Sequence, residues 1–246
     1  MTRTELSPRR CLVTGANRGI GQAVADRLLE RGDAVALGAR HPEAPGLRKL
    51  IERHGERALP LPVDLEDARS VVAAGAWLAQ KFELLDAVVH CAGVNVAPRH
   101  ERSAIKGSLG ELDPDAIEQM FRINVSGTLR LLQVVRPLLD AAHEPRVMAL
   151  GTSRASMALT QDGRSAGYAV TKAALGMLTR KVAFESSGRG WCTVTVDPGW
   201  VRTDMGGQDA PDTASDAADD LVTMLDALTD HDNGRFLSRT GTEVPW

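Results

Sequence analysis

Short apolar runs alternate along the chain with longer segments whose apolar residues recur at helical spacing, and that alternation predicts repeated strand–helix units. Arg10–Thr14 reads as a strand, followed by a helix from about Ile20 to Arg31. Ala34–Ala39, Ala58–Val63, Leu85–Cys91, Arg146–Gly151 and Trp191–Val196 read as further strands, with Gly234–Leu237 as a short last one. Helical periodicity covers Leu47–His54, Ala68–Phe82, Asp115–Leu139, Ala166–Ser186 and Asp216–Leu228. Several strands, Ala87-Val88-Val89 among them, are apolar without alternation, as expected of strands buried on both faces. Strand–helix repeats with right-handed crossovers give an α/β fold: a doubly wound, Rossmann-type parallel sheet of about seven strands flanked by helices on both faces. With no internal repeat and no low-complexity linker, residues 1–246 read as a single domain.

Composition narrows the function. The length of 246 residues suits one large α/β domain, and 43% hydrophobic residues supply a sizeable core. A net charge of −3 leaves no basic footprint for nucleic acid. No apolar run reaches the roughly 18 residues of a membrane span, and Met1–Arg10 is too polar for the core of a signal peptide. Cys11, Cys91 and Cys192 lie far apart in apolar runs and read as free thiols. No pair has zinc-ligand spacing and the six histidines are scattered, so no metal site is expected, and a reducing, cytoplasmic setting fits. Residues 203–233 stand apart: Thr203–Gly234 holds nine Asp and no Lys or Arg. The stretch reads either as a solvated acidic surface or as a substrate-side flap, and its place after a Pro-Gly turn favours the flap.

The first strand runs into Thr14-Gly15-Ala16-Asn17-Arg18-Gly19-Ile20-Gly21 and then a helix. Glycines there let a phosphate approach the backbone, and the free N–H groups of the helix start attract a pyrophosphate. The second strand ends in Ala39-Arg40, where NAD-preferring folds usually carry an acid. Arg40, with Arg18 in the turn, suits the 2′-phosphate of NADP(H). Asp64, after the third strand, either accepts from the adenine amino group or caps the helix opened by Leu65-Glu66-Asp67.

The catalytic signal is compositional. The chain has one tyrosine, Tyr168, in Tyr168-Ala169-Val170-Thr171-Lys172. Residues four apart share a helix face, so the Lys172 ammonium is expected near the phenol, lowering its pKa from about 10 toward working pH. Upstream, Val147–Ser153 is a strand ending in hydroxyls, and a serine there can hydrogen-bond a substrate carbonyl. Ser153 ends the strand directly, while Ser156 is a rival for the same role. Downstream, Asp197-Pro198-Gly199-Trp200-Val201-Arg202-Thr203 follows the sixth strand, and its turn is placed to cap a nicotinamide through Val201 and Thr203.

In order and spacing these residues resemble the short-chain dehydrogenase/reductase family across nearly the whole chain: the Gly-rich turn, Asp64, Cys91-Ala92-Gly93, Asn124, Ser153, Tyr168-x-x-x-Lys172 and Pro198-Gly199. The stretch from Pro198 to Met205 is similar to the carbonyl-reductase and C-factor-like branch. The resemblance implies that Tyr168 donates a proton to a carbonyl, Lys172 tunes it and binds the nicotinamide ribose, Ser153 orients the carbonyl, and Asn124 holds a water in a proton relay. It implies NADP(H) bound by Gly15, Asn17, Arg18, Gly19, Ile20, Gly21, Arg40, Asp64, Leu65, Ala92, Gly93, Tyr168, Lys172, Pro198, Gly199, Val201 and Thr203. The implied partner is a small-molecule carbonyl or alcohol substrate, with neither nucleic acid nor membrane, in a homodimer or homotetramer pairing through the helices around Asp115–Leu139 and Ala166–Ser186. Where the family commonly has Asn-Asn-Ala-Gly, this chain has His90-Cys91-Ala92-Gly93. The polar stretch Asn95–Gly110, with Arg99, His100, Glu101, Arg102 and Lys106, reads as the substrate mouth or a solvated loop. The competing reading is a non-catalytic NADP(H)-binding sensor or scaffold on the same fold.

Overall fold

Seven strands form one parallel sheet in the order β3-β2-β1-β4-β5-β6-β7 in the computed structural model, which describes residues 8–96 and 112–246. The strands are β1 Arg10–Thr14, β2 Ala34–Ala39, β3 Ala58–Pro62, β4 Ala87–His90, β5 Arg146–Leu150, β6 Cys192–Asp197 and β7 Phe236–Ser238. The helices are α1 Gly19–Arg31, α2 Pro45–His54, α3 Ala68–Lys81, α4 Pro114–Phe121, α5 Thr128–Asp140, α6 Ala166–Ser186 and α7 Ala214–Ala227.

Alternate residues of each strand feed two cores, one on each face. Cys11 and Val13 of β1 point to one side and pack with Val24 and Leu28 of α1, Leu47 of α2, and Leu221 and Leu225 of α7. Leu12 points to the other side and packs with Val71 and Leu78 of α3 and Leu131, Val135 and Leu139 of α5. Burial on both faces is why these strands carry no polar alternation. The expected single α/β domain with a doubly wound sheet is what the chain forms.

The edge strand β3 carries Pro60 and Pro62, opposite Leu37 and Ala39 of β2. Proline lacks a ladder donor and is tolerated at a sheet edge. At the other edge β7 begins at Phe236 rather than Gly234, because Gly234 turns at φ +80°.

Two expectations change. Asp115–Leu139 is not one regular helix: α4 and α5 are separated by a π-helical segment, Arg122–Gly127. Such bulges often mark functional sites, and this one contains Asn124. Nearly half of the acidic stretch 203–233 is helix α7, whose Ala217, Ala218, Leu221 and Leu225 are buried. Its acids face outward to arginines: Asp219 to Arg27, Asp226 to Arg9 and Arg31, and Asp220 to Arg239. The part of the stretch still open to the flap reading lies between β6 and α7.

The strand order reverses direction between β1 and β4, so the crevice at their carboxyl ends is where this architecture receives a ligand.

Candidate active site

The Gly-rich turn closes tightly onto its own helix. A β-carbon at Gly21 would stand 2.3 Å from the carbonyl oxygen of Gly15, so only glycine fits. Arg18 precedes α1 in extended conformation without a side-chain cap, and no acid occupies the first helical turn. The first N–H groups of α1 are therefore left for an anion. Asn17 and Ile20 lie within the same turn, half-buried. The Arg18 guanidinium reaches across to Asp204 at 2.7 Å, tying the turn to the segment after β6. Arg40 is exposed at the end of β2.

Asp64 is not the N-cap of α3. That role falls to Asp67, whose side chain accepts from the Arg69 N–H, while Asp64 Oδ1 accepts from the Glu66 N–H at 3.0 Å. Neighbouring Leu65 is buried in the core. Any ligand contact it makes must come from its backbone.

Beyond β4, a chain of buried hydrogen bonds runs through a residue with no assigned role in the sequence reading, His90. Its Nδ1 lies 2.9 Å from Thr14 Oγ1 and its Nε2 2.8 Å from Thr128 Oγ1. Thr128 spends its own proton on the Asn124 carbonyl at 2.8 Å. The imidazole must then donate from Nε2 and accept at Nδ1. Thr14 Oγ1 also accepts the Ala92 N–H at 3.2 Å. Burial, and secondarily the Lys172 charge, push the imidazole down to about 3, so it stays neutral. The first strand, the loop after β4 and the π segment are thus joined through one ring.

Asn124 is fully committed within the protein. Its Oδ1 accepts from Val94 N at 2.8 Å, and its Nδ2 donates to Val94 O at 2.9 Å and to Thr171 Oγ1 at 3.1 Å. It clamps the loop after β4 to α6.

Lys172 is buried and its Nζ donates to the carbonyl of Leu150, the last residue of β5, at 2.8 Å. The same Nζ lies 5.8 Å from the centroid of the Tyr168 ring. Burial lowers the ammonium to about 8. The phenol moves the other way from the expected one. Burial, then the Asp197 carboxylate, push Tyr168 up to about 12. Helical spacing placed the lysine on the right face, but it carries no information about how dry that face is or what stands opposite.

Ser153 and Ser156 differ in what they hold. Ser156 is buried and its Oγ accepts from Leu159 N at 3.2 Å. Ser153 is half-buried in a single 3₁₀ turn, Ser153–Ala155, and its N–H goes to Asp197 Oδ2. Past β6, Pro198 is buried and Gly199 turns at φ +80°. Val201 is buried, and the Thr203 hydroxyl accepts from Gly206 N at 3.0 Å. Arg239 anchors this turn, donating to Pro198 O and pairing with Asp212 at 3.0 Å and Asp220 at 3.1 Å.

A family model described as short chain dehydrogenase matches residues 9–214. The chain belongs to the short-chain dehydrogenase/reductase family. It is 35% identical over 162 residues to the C-signal of Myxococcus xanthus, covering 66% of this chain and 93% of that protein. It is 32% identical over 240 residues to 1-hydroxy-2-glutathionyl-2-methyl-3-butene dehydrogenase of Rhodococcus sp. (strain AD45), covering 96% of this chain and 98% of that one. Among solved structures it is similar to the NADPH-bound carbonyl reductase from chicken fatty liver, with TM-score 0.87 and 27% identity over 98% of this chain and all 100% of the other.

Within this short-chain dehydrogenase, apolar side chains are exposed beyond the carboxyl ends of β5 and β6. Met157, Leu159, Trp200 and Met205 are exposed on the segments that follow β5 and β6. The indole of Trp200 is pinned by its Nε1 donating to Gly206 O at 2.7 Å. The expected contribution of Arg99, His100, Glu101, Arg102 and Lys106 to this mouth lies outside the described residues. Among the described residues no three His, Cys, Asp or Glu side chains converge as a metal cluster would require. No helix of those residues is long and apolar enough to cross a membrane.

Two participants escaped the sequence reading. His90 was legible only as a departure from the family's asparagine. Asp197 left one signal, an acid directly before Pro198-Gly199 at the end of a central strand.

Proposed function

We propose that this chain is an NADPH-dependent carbonyl reductase in which Tyr168 is the proton donor. The observation that carries the reading is that Lys172, with the Tyr168 ring beside it, is held at the carboxyl end of β5 and Ser153 at that of β6, on the sheet edge that also carries the Gly-rich turn. The donor set fits the dinucleotide: uncapped N–H groups at α1, a turn that only glycine can form, and Arg40 in place of an acid. The carbonyl reductase it resembles is NADPH-bound, which supports the same cofactor here.

NADPH, when bound, supplies the hydride that goes to the carbonyl carbon. The protein supplies the proton and the geometry. A phenol held near 12 is protonated at neutral pH and is ready to give its proton to the carbonyl oxygen as negative charge develops there. Ser153 orients that oxygen by donating its hydroxyl proton. Lys172, fixed by Leu150 O, keeps a positive charge beside the phenolate left behind. Asn124 and Thr171 hold α6 against the loop after β4, so the tyrosine does not drift. Exposed Met157, Leu159, Trp200 and Met205 suit a medium-sized, predominantly apolar ketone.

The test is NADPH oxidation with a panel of activated ketones, quinones and aldehydes. Turnover in the native chain, lost in Tyr168→Phe while NADPH still binds, supports the assignment. Full turnover in that variant removes Tyr168 from the chemistry. NADPH binding without turnover across the panel favours the sensor or scaffold reading.

A further inference from the structure

The loop between β6 and α7 is closed on itself. Val201 and Asp212 pair in a parallel bridge, Arg202 N donates to Asp212 O at 2.8 Å, and the Arg202 guanidinium donates to Pro211 O at 3.2 Å. Inside it, Trp200 Nε1 donates to Gly206 O, Gly206 N to Thr203 Oγ1, and Gly207 N to Thr203 O at 2.9 Å. Val201 and Ala210 are buried. Ends that meet and a tip packed by its own side chains are the marks of an Ω-loop. Where such a loop sits depends on what holds it from outside.

At the tip, the Arg18–Asp204 pair joins it to the Gly-rich turn, and a β-carbon at Gly19 would stand 3.2 Å from Thr203 Cγ2, so the two segments touch. At the base stands Arg239, one residue past β7. Its Nη1 donates to Pro198 O at 3.3 Å, where the loop begins, and its Nη2 pairs with Asp212 at 3.0 Å, where the loop closes. Its Nε pairs with Asp220 of α7 at 3.1 Å. A β-carbon at Gly199 would lie 3.6 Å from Asp212 Oδ2 and 3.7 Å from Arg239 Nη1, so the Pro-Gly turn rests on the ion pair itself. Arg239 N donates to Asp197 O at 2.9 Å, which fixes the arginine's own backbone to the end of β6.

Burial decides between the two ties. The tip pair is 67% and 71% exposed, and pairs of that kind hold little. The Arg239 side chain is 17% exposed, so its pairs are less screened, and removing it would leave two acids without this partner. We propose that Arg239 is a positioning residue for the cofactor: by holding both ends of the loop 198–212 on one guanidinium, it sets where Thr203 meets the Gly-rich turn, and through that the affinity for NADPH. The proposal rests on the reductase reading above and deepens it. A planar fork serves three fixed partners at set angles, which the rotating ammonium of a lysine does not.

The chain supplies its own probe. Between Arg189 and Arg235 it has one trypsin site, Arg202, which lies in this loop and is exposed. Cleavage there splits the chain after residue 202 and is read by mass spectrometry. Arg239→Met keeps the apolar stem and removes the donors. In the cofactor-free protein it is expected to speed cleavage at Arg202 about tenfold or more, since losing charged hydrogen bonds eases local opening by that factor. Cleavage at sites outside the loop should keep its native rate. NADPH titrated by fluorescence should bind about tenfold more weakly or worse. Arg239→Lys is expected to show both changes in smaller measure, and it serves as the test if Arg239→Met fails to fold by circular dichroism. Cleavage that speeds up at every site, cleavage unchanged at Arg202, or a native NADPH affinity each overturns the proposal. If the loop loosens and NADPH binds more weakly but the native protein reduces nothing on the panel, the reductase reading fails and the role of Arg239 stands. If the native protein reduces ketones and the variants bind NADPH as it does, only the role of Arg239 fails.

Discussion

The Lys172 ammonium occupies the space that a side chain at Gly93 would need: a β-carbon there would stand 3.1 Å from Nζ and 3.4 Å from Asn124 Oδ1. The loop after β4 and α6 are fitted closely to each other at this point.

Gly93→Ala is therefore expected to displace the lysine without unfolding the chain. Misplacing a positioned group by a fraction of an ångström commonly costs about tenfold or more in rate. Reduction kinetics should show kcat lower by at least that factor, with the urea midpoint little changed. Unaltered kcat would mean that Lys172 is not needed where it stands.

The buried ring of His90 gives an acid-side signature. Its folded value is about 3, against 6.5 in an ordinary histidine. Below 6.5 the unfolded chain takes up a proton that the folded chain refuses, so the stability present above that pH is lost as pH falls toward 3. Urea unfolding between pH 6.5 and 4.5 should show that decline, and His90→Asn should flatten it. His90→Phe, which removes the acceptor of the Thr14 hydroxyl proton and the donor to Thr128 Oγ1, is expected to cost about 2–4 kcal/mol at neutral pH.

Under the proposed function, the preference for NADPH is assigned to Arg40. Arg40→Glu sets a carboxylate where the 2′-phosphate would lie, and the KM for NADPH should rise by about 100-fold while that for NADH changes little. Equal changes for both cofactors would place the 2′-phosphate elsewhere.

The outer face of α6 predicts self-association. Val170, Met177 and Phe184 repeat every seventh residue and are exposed, Phe184 by 62%, with Leu129 of α5 also exposed. We expect a dimer through this face, read by light scattering, and a monomer in Phe184→Glu. A native monomer would refute it.

The sequence went furthest where structure is set locally or by burial alone. β1 and β2 have the limits that their apolar runs indicate, and α6 runs from Ala166 to Ser186 as its periodicity requires. It went least far where distant segments decide. The π segment interrupts a stretch whose helical period is unbroken. There Thr128 bonds Asn124 O four residues back, and a β-carbon at Gly127 would strike Leu65 O at 2.4 Å. Neither contact leaves a local trace. The direction in which the Tyr168 phenol shifts was equally hidden, since it depends first on how deeply the ring is buried and then on Asp197. The acidic stretch misled for a related reason. Asp216, Asp219, Asp220 and Asp226 look like a loop's, yet they lie on a helix whose buried face is mainly Ala and Leu.

The two imino acids of β3 bear on how the molecule behaves when crowded. Val63 N–H turns inward to Ala39 O at 2.9 Å, and the alternation of a strand then turns the nitrogens of Pro60 and Pro62 outward. At those two places the rim has no N–H to offer a neighbouring molecule. Concentrated solutions should accordingly resist edge-to-edge stacking along this margin, and replacing both prolines with valine would expose a docking ladder prone to fibril growth.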